Sequence, residues 1–281
     1  MTVINTNTAA SITANALTKN QRAMETAMER LSTGQRINSA SDDAAGLAIA
    51  SRMTSQVNGL NMAVRNTNDA ISMVQTADGA LVEITNAMQR MRELAVQGAS
   101  GTNTGTNDMA ALNTEFEAVQ AEIFQIIDDT TWNGVALLDG NAAGTGDDTV
   151  DFHVGANASQ TITVDFGDHE TGGNDLGSFT SSFDIDASGE ANTAIGIIDT
   201  AIQVINTRRA AFGAAINRLE YAVDNLSNVS ANTSASRSRI LDADYASETT
   251  ELARTQIIQQ AATAMLSQAN QQAQSVLALL K

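Results

Sequence analysis

The longest helical pattern in the chain lies in residues 42–97, which have the sequence DDAAGLAIASRMTSQVNGLNMAVRNTNDAISMVQTADGALVEITNAMQRMRELAVQ. Alternating steps of three and four residues visit twelve positions, of which nine are apolar: Ala50, Met53, Val57, Leu60, Val64, Thr67, Ile71, Val74, Asp78, Leu81, Thr85 and Met88. A heptad stripe of this length predicts one uninterrupted helix. At about 1.5 Å per residue it is on the order of 80 Å long, which indicates a rod.

The ends of this helix carry matching signals, and two more stripes follow it. Ser41, Asp42 and Asp43 supply an N-cap and first-turn acids, and the Gly-rich run 98–105 favours a loop. The later stripes are Leu112, Phe116, Val119, Ile123 and Ile126, and then Ile195, Ile198, Ile202, Ile205, Arg209, Phe212, Ile216, Leu219, Val223 and Leu226. Only Arg209 interrupts the second of them. The three segments predict an elongated helical bundle.

Both termini have a helical pattern with narrow apolar stripes. The N-terminal stripe is Val3, Ala10, Leu17, Met24 and Leu31, and the C-terminal stripe is Ile258, Ala262, Met265, Ala269, Gln272, Val276 and Leu279. Their flanks are rich in Gln, Asn, Ser, Thr and Ala. Helices with so little apolar area are not stable alone, so we expect them to pack on each other or on other copies of the chain.

Residues 132–190 have a different character, rich in Gly, Asp, Asn and Thr. Apolar residues alternate over 150–154 and again over 162–166, and a turn sequence lies between them, which predicts a β-hairpin. The polar stretch 167–190 is predicted to be mainly loop. Trp132 is interpreted as an apolar anchor at the start of this region.

Composition excludes several classes of function. Fifteen Lys and Arg stand against 32 Asp and Glu, a net charge of −17, which disfavours nucleic acids and anionic lipids as partners. The chain has no Cys, so it has no disulfide and no thiolate site. No apolar run has the roughly 20 residues of a membrane span, and residues 1–7 lack the features of a secretory signal. The absence of Pro suits long helices.

We find no motif that requires catalysis or a cofactor. Phosphate-binding Gly-rich loops, the zinc-protease His pair and the serine nucleophile elbow are all absent from the sequence. The acidic group Asp165, Asp168, His169 and Glu170 is more simply a solvated surface turn than a metal site. His153 is expected on the solvated face of a strand. We therefore expect no enzyme, no metal and no cofactor.

Arg90 and Arg92 are cations on a helix that has few of them. The simpler interpretation is a solvated face with local ion pairs, for example between Arg90 and Glu93. The alternative is a face that docks a partner. Spacing alone favours the first.

Four long motifs carry a resemblance to bacterial flagellins. Residues 31–49 (LSTGQRINSASDDAAGLAI) resemble the N-terminal flagellin signature, and residues 89–97 (QRMRELAVQ) resemble its second helix motif. Residues 236–246 (SRSRILDADYA) and 268–271 (QANQ) resemble the C-terminal motifs, and FHVGANA at 152–158 adds to them. The match covers about residues 1–140 and 192–281, in order.

The resemblance implies a mainly α fold in which the terminal helices pair as a coiled coil and long antiparallel helices form a rod with a small β-hairpin region. It implies residues 1–40 and 241–281 as the two halves of the coiled coil. Residues 41–132, 133–191 and 192–240 are then the N-terminal, hairpin and C-terminal parts of the rod domain. The interval between Gly140 and Ala191 is about fifty residues, which leaves little room for the outer domains that flagellins insert there.

The function that the resemblance implies is that of a structural subunit. It would leave the cell by the flagellum-specific type III export route, polymerise into the extracellular filament for motility, and fold as it assembles. Expected partners are other copies of the chain, an export chaperone at 258–279, the filament cap and the hook-junction proteins.

Specific contact residues also follow from the resemblance. Subunit contacts are expected at Arg36, Ile37, Asn38, Ser39, Asp42, Asp43, Asp242, Asp244 and Tyr245, although local capping and hinge geometry is an equal alternative. The core coiled coil is expected to use Val3, Leu17, Met24, Leu31, Ile258, Met265, Val276 and Leu279. Gln89, Arg90, Leu94, Gln97 and Glu115 resemble the patch that Toll-like receptors of animals recognise.

Three rival functions are distinguishable by experiment. A hook–filament junction protein has flagellin-like termini but does not polymerise indefinitely. A flagellin with an enzyme in its middle insertion needs a larger insert with a metal motif. A plain coiled-coil adaptor forms a closed oligomer.

Overall fold

The computed structural model describes residues 7–102, 105–144, 147–169, 179 and 184–278. The chain divides into two compact units. We call Met1–Val57 with Ala231–Lys281 the terminal unit and Asn58–Ser230 the central unit. Val3 and Leu279 lie outside the described residues, as does the side chain of Val276.

Long helices dominate the fold, which confirms the predicted mainly α class. Helix α1 spans Thr8–Thr33, α2 spans Ala44–Gly98, α3 spans Thr106–Asp129, α4 spans Ser188–Leu241 and α5 spans Tyr245–Ala278. The predicted long second helix is continuous over 55 residues. The Asp43 carboxylate accepts the backbone N–H of Gly46 at 2.8 Å, as an N-cap does, because the first helical N–H groups have no partner within the helix.

The core of the central unit combines residues of the predicted stripes with neighbours that were on no stripe, namely Ile84, Met91, Leu94 and Ile127. Its fully buried large side chains include Leu81, Ile84, Met88, Met91, Leu94, Phe116, Ile123, Ile127, Ile198, Ile205 and Phe212. The ring of Phe166 packs on that of Phe212 with centroids 5.5 Å apart, which ties the hairpin to α4. Trp132 is half-buried against the same core, in agreement with its interpretation as an anchor.

The two charged residues that interrupt the stripes pair with each other. Arg209 of α4 donates through Nε to the carboxylate of Asp78 on α2 at 3.0 Å. Each side chain keeps about a third of its surface exposed, 34% for Arg209 and 36% for Asp78. A charge on either stripe is tolerated because its partner lies opposite and water reaches both.

Two antiparallel hairpins complete the central unit. Strands β3 (Thr149–His153) and β4 (Thr161–Asp165) pair as predicted, with Val150 opposite Val164. The shorter hairpin, β1 (Thr131–Trp132) with β2 (Val135–Ala136), was not predicted. It turns at Asn133 and Gly134, whose φ angles are +51° and +82°. Asn-Gly is the residue pair that such tight turns favour, so the sequence did carry the signal.

The two histidines have opposite environments. His153 is exposed on β3, as expected. The prediction for His169 was wrong, because this residue is fully buried rather than on a surface turn. Its backbone N–H donates to the carbonyl of Leu138 at 2.9 Å, and Asp168 forms a β-bridge with Asp139. These pairings draw the segment against the core, and they join residues about thirty positions apart in the chain. Most of 170–183, where loop was predicted, lies outside the described residues.

Candidate functional site

Helices α1 and α5 pack against each other in antiparallel orientation within the terminal unit. On α1 a stripe of half-buried or buried positions repeats in steps of three and four: Ala10, Thr13, Leu17, Asn20, Met24, Ala27 and Leu31. Thr26 and Arg30 beside it are also half-buried. Three residues expected in a coiled-coil core, Leu17, Met24 and Leu31, are therefore half-buried on the face that repeats with heptad spacing.

Polar contacts along this seam tie the two helices together. The side-chain amide of Asn20 donates to the carbonyl of Thr255 at 2.7 Å, and that of Asn7 donates to the carbonyl of Ala269 at 3.1 Å. Arg30 forms an ion pair with Glu248 at 3.0 Å, in which the side chains are 28% and 13% exposed. The pairing is thus held partly by hydrogen bonds and charge, and only partly by apolar burial.

On α5 exposure is reduced at Glu248 and Glu251 in the first two turns and then along a stripe of Leu252, Thr255, Gln259, Ala262, Leu266 and Ala269. Ile258 and Met265, which we expected in the core of the coiled coil, lie one residue before two of these positions. They are 41% and 62% exposed in the isolated chain. Burial of these two side chains therefore requires another molecule, and their core role stays a prediction.

Further apolar side chains of the terminal unit are exposed that the stripes did not include. Ile12 is 70% exposed, Ile257 66%, Tyr245 56% and Met28 53%. The sequence signal for them is simple: each is a large apolar residue off the predicted stripe. Together with Ile258 and Met265 they are exposed on the two paired helices, and we call this set of six side chains the apolar outer surface.

The linkers between the helices meet each other. Gln35 pairs with Asp242 in a β-bridge, the Arg36 N–H donates to the carbonyl of Leu241 at 2.7 Å, and the Ala243 N–H donates to the carbonyl of Gly34 at 3.0 Å. Gly34 ends α1 in the left-handed conformation, with φ +71°, where a side chain would be strained. Backbone hydrogen bonds therefore hold the α1–α2 linker and the α4–α5 linker together, and we call this place the joint.

Two of the expected contact residues make side-chain contacts close to this joint. The Arg36 guanidinium donates to the carbonyl of Ile240 at 2.9 Å, and its side chain is 45% exposed. The Tyr245 hydroxyl donates to the carbonyl of Leu31 at 3.3 Å. Ile37, by contrast, is only 1% exposed. These contacts fit the local, hinge-forming alternative, and contact with another copy stays a prediction.

The acidic residues near the joint accept hydrogen bonds from the backbone of its turns. Asp42 accepts the backbone N–H groups of Ser39 and Asn38 at 2.9 and 3.2 Å, and also the Ser39 hydroxyl at 3.0 Å. The N–H of Ser39, then its hydroxyl and the N–H of Asn38, lower the pKa of the Asp42 carboxyl below its usual value. In the α4–α5 linker the Asp244 carboxylate accepts the N–H of Ala246 at 3.0 Å, where α5 begins.

The residues that resemble a receptor patch are only partly accessible. Arg90 bridges the carboxylates of Glu115 at 2.6 Å and Glu93 at 2.9 Å. The hydrogen bond to Glu115 raises the pKa of the guanidinium most, and the hydrogen bond to Glu93 raises it further. Gln89 and Gln97 are exposed, but Leu94 is buried in the core. The predicted local ion pair is therefore present, and a receptor role stays a prediction.

The described part of the chain contains no candidate metal site and no candidate membrane-spanning helix. Within it no three His, Cys, Asp or Glu residues are placed to hold a metal ion together. Asp165, from the acidic group noted above, pairs with Arg208 at 2.5 Å. Among the described helices, none combines the length and apolarity that crossing a membrane needs.

Comparison with known proteins assigns the family. Residues 4–143 match the model of the bacterial flagellin N-terminal helical region, and residues 195–280 match that of the bacterial flagellin C-terminal helical region. The chain is 46% identical to a flagellin of Halalkalibacterium halodurans over 91% of each chain, and 42% identical to a flagellin of Bacillus subtilis over 99% of each. The crystal structure of Bacillus cereus flagellin superposes with a TM-score of 0.50 at 35% identity, covering 58% of this chain and 88% of that one. This chain belongs to the bacterial flagellin family.

Proposed function

We propose that this chain is a non-enzymatic structural subunit that polymerises with its own copies into a helical flagellar filament. The observation that carries the proposal is the apolar outer surface of the paired helices α1 and α5. A helix pair that keeps Ile12, Ile257, Ile258 and Met265 in water gains stability when further copies cover them. Contacts between different faces of successive copies do not close, so they produce a helical polymer.

The distribution of charge supports the same assembly. Residues 1–57 and 231–281 hold nine Lys and Arg and eight Asp and Glu, so the terminal unit is almost neutral. Residues 58–230 hold six Lys and Arg against 24 Asp and Glu. Close packing of many copies is least costly for the unit without net charge, while the acidic unit keeps the polymer soluble.

Folding is coupled to assembly in this proposal. The α1–α5 seam contains Thr13, Asn20, Thr255 and Gln259, which bury little apolar surface, so the pair is weak until other copies add to it. Weak termini suit passage through a narrow export channel. The chain is therefore expected to use the type III export route and to be secreted, with the extracellular filament as its destination.

The expected residue roles and domain limits form part of the proposal. Arg36 to Ser39, Asp42, Asp43, Asp242, Asp244 and Tyr245 contribute to contacts between subunits. Residues 1–40 and 241–281 form the filament-core coiled coil, and residues 41–240 form the rod domain, with its hairpin part at 133–191. The exposed Arg36 guanidinium is the member best placed to add an intermolecular contact.

Further partners are proposed from family membership. They are an export chaperone on 258–279, the filament cap and the hook-junction proteins. A Toll-like receptor of an animal host would use Gln89, Arg90, Gln97 and Glu115, the exposed members of the patch.

Seeded assembly tests the central claim. Purified chain is added to short filament fragments and examined by negative-stain electron microscopy, beside a variant without residues 1–31. A matched pair of point variants refines the test: Ile258→Asp places a charge on the exposed α5 surface, and Gln259→Asp places one on the neighbouring seam position. We expect long filaments from the intact chain, none from the deletion variant, and loss of extension from Ile258→Asp while its helix content is retained.

Discrete particles or short caps from the intact chain would contradict the proposal. Short caps would favour a hook–filament junction protein, and a closed oligomer of fixed stoichiometry would favour a coiled-coil adaptor. Full extension by Ile258→Asp would show that the exposed α5 surface is not the one that copies cover.

A further inference from the structure

The described methionines differ widely in exposure, with Met24 and Met53 half-buried. Met73, Met88, Met91 and Met109 of the central unit are at most 7% exposed. Met28 and Met265 of the terminal unit are 53% and 62% exposed, and Met62 of the central unit is 47% exposed. A thioether must be reached by solvent to be oxidised, so these three side chains are the first of the described methionines to react with a peroxide.

We propose that Met28 and Met265 are oxidation-sensitive modification sites at which conversion to the sulfoxide stops a subunit from joining the polymer. The inference rests on the proposed self-assembly. The reactant is a hydroperoxide: its terminal oxygen is transferred to a lone pair of the sulfur, the O–O bond breaks, and water or an alcohol leaves. Sulfur is oxidised by two electrons and the peroxide is reduced by two.

Both sites lie outside the contacts that hold α1 to α5. The neighbouring residue on α1, Ala27, is 2% exposed, and on α5 the reduced exposure falls on Ala262 and Leu266. Met28 and Met265 are exposed on the same helices. A sulfoxide at either position therefore remains hydrated in the free chain and leaves the helix pair intact.

The same sulfoxide opposes assembly. It replaces a flexible apolar group by a strongly polar one, and burying that group against an apolar surface without a hydrogen-bond partner is costly. Met62 is the natural comparison, since it is exposed to a similar degree but lies in the acidic central unit. Oxidation thus acts on subunits that have not yet assembled, and copies already in the polymer are protected by their neighbours.

The test uses the full chain and hydrogen peroxide. Brief treatment is adjusted, by peptide mass spectrometry, until Met28, Met62 and Met265 are converted while the half-buried and buried methionines remain intact. Seeded extension is then followed by light scattering and electron microscopy, with circular dichroism to confirm unchanged helix content. We expect the extension rate to fall roughly tenfold or more after oxidation.

Three variants show which methionines are responsible for the slower extension. The pair Met28→Leu with Met265→Leu keeps the apolar surface and should extend seeds at the same rate before and after peroxide. Met62→Leu should remain as sensitive as the unaltered chain. Met28→Gln with Met265→Gln, which mimics the polarity of the sulfoxide, should slow extension without any oxidant.

A separate measurement does not depend on variants that assemble. In preformed filaments Met28 and Met265 should oxidise several-fold more slowly than in free subunits, relative to Met62. Undiminished extension by the oxidised chain, or equal oxidation rates in both states, would overturn the inference. Failure of the untreated chain to extend seeds would instead overturn the proposed polymerisation, so the two failures are distinguishable.

Discussion

Asp42 is a single carboxylate that holds the turn between α1 and α2 in place. It accepts two backbone N–H groups and one hydroxyl from the turn that precedes it, while the adjacent Asp43 caps α2. The pattern of two successive acids before an apolar run predicted the cap. The pattern did not predict which of the two acids caps the helix. Asp43 does so, because only Asp43 lies three residues before the free N–H of Gly46.

The lowered pKa of Asp42 predicts a pH dependence of this turn. The ionised carboxylate is favoured in the folded chain, so its stabilising effect is present above the unfolded pKa of about 3.9 and is lost as the pH falls through the lower folded value. The backbone amide NMR signals of Asn38 and Ser39 should shift with a midpoint below about pH 3.9. In Asp42→Asn the same shift should be absent, and a midpoint at or above the ordinary value would contradict the assignment.

At the scale of elements, the α1–α5 pair is weakened by its own seam. Asn20 occupies a position between Leu17 and Met24 where an apolar residue would bury more surface, and it donates instead to the carbonyl of Thr255. An Asn at a seam position lowers the stability of a helix pair and restricts how its helices align. Under the proposed coupling of folding to assembly, the pair forms as copies join and can tolerate this cost.

We therefore predict that Asn20→Leu stabilises the isolated terminal pair. The added apolar burial is expected to contribute about 1 kcal/mol, seen as a higher midpoint for the loss of helix on heating. Lys19→Leu, at the adjacent exposed position, adds the same side chain outside the seam and should have little effect. Equal effects of the two variants would mean that the seam does not limit the stability of the pair.

At the scale of the whole molecule, the sequence separates charge along the chain. Residues 93–207 contain 19 Asp and Glu and no Lys or Arg. The cations that approach this segment in space come from elsewhere, as Arg90 does at Glu115, Arg92 at Asp199 and Arg208 at Asp165. Copies packed side by side must therefore overcome repulsion between acidic surfaces.

This repulsion predicts that assembly depends on salt. Raising NaCl from about 0.03 to 0.3 M shortens the Debye length to several ångströms, so seeded extension should become several-fold faster. Glu122→Gln with Asp128→Asn, two exposed changes on α3, should flatten the dependence. Extension rates that fall with added salt would indicate that intermolecular ion pairs, rather than repulsion, dominate.

The sequence by itself determined what depends on neighbours along the chain. Heptad spacing and caps set the extent of α2, alternation set the β3–β4 pairing, and the terminal motifs identified the family, because each of these signals is complete within a few tens of residues. The same local spacing predicted the face of α1 on which Leu17, Met24 and Leu31 lie half-buried.

Only the tertiary structure decided which distant groups meet. The charge of Asp78 is matched by Arg209, 131 positions along the chain, and His169 is buried because backbone pairing draws its turn inward. The face of α5 that covers α1 also differs by one residue at Ile258 and Met265 from the predicted stripe, since the observed and predicted stripes share Ala262 and Ala269 and overlap along that helix. Packing against α1 selects between them, and that contact is absent from any local stretch of sequence.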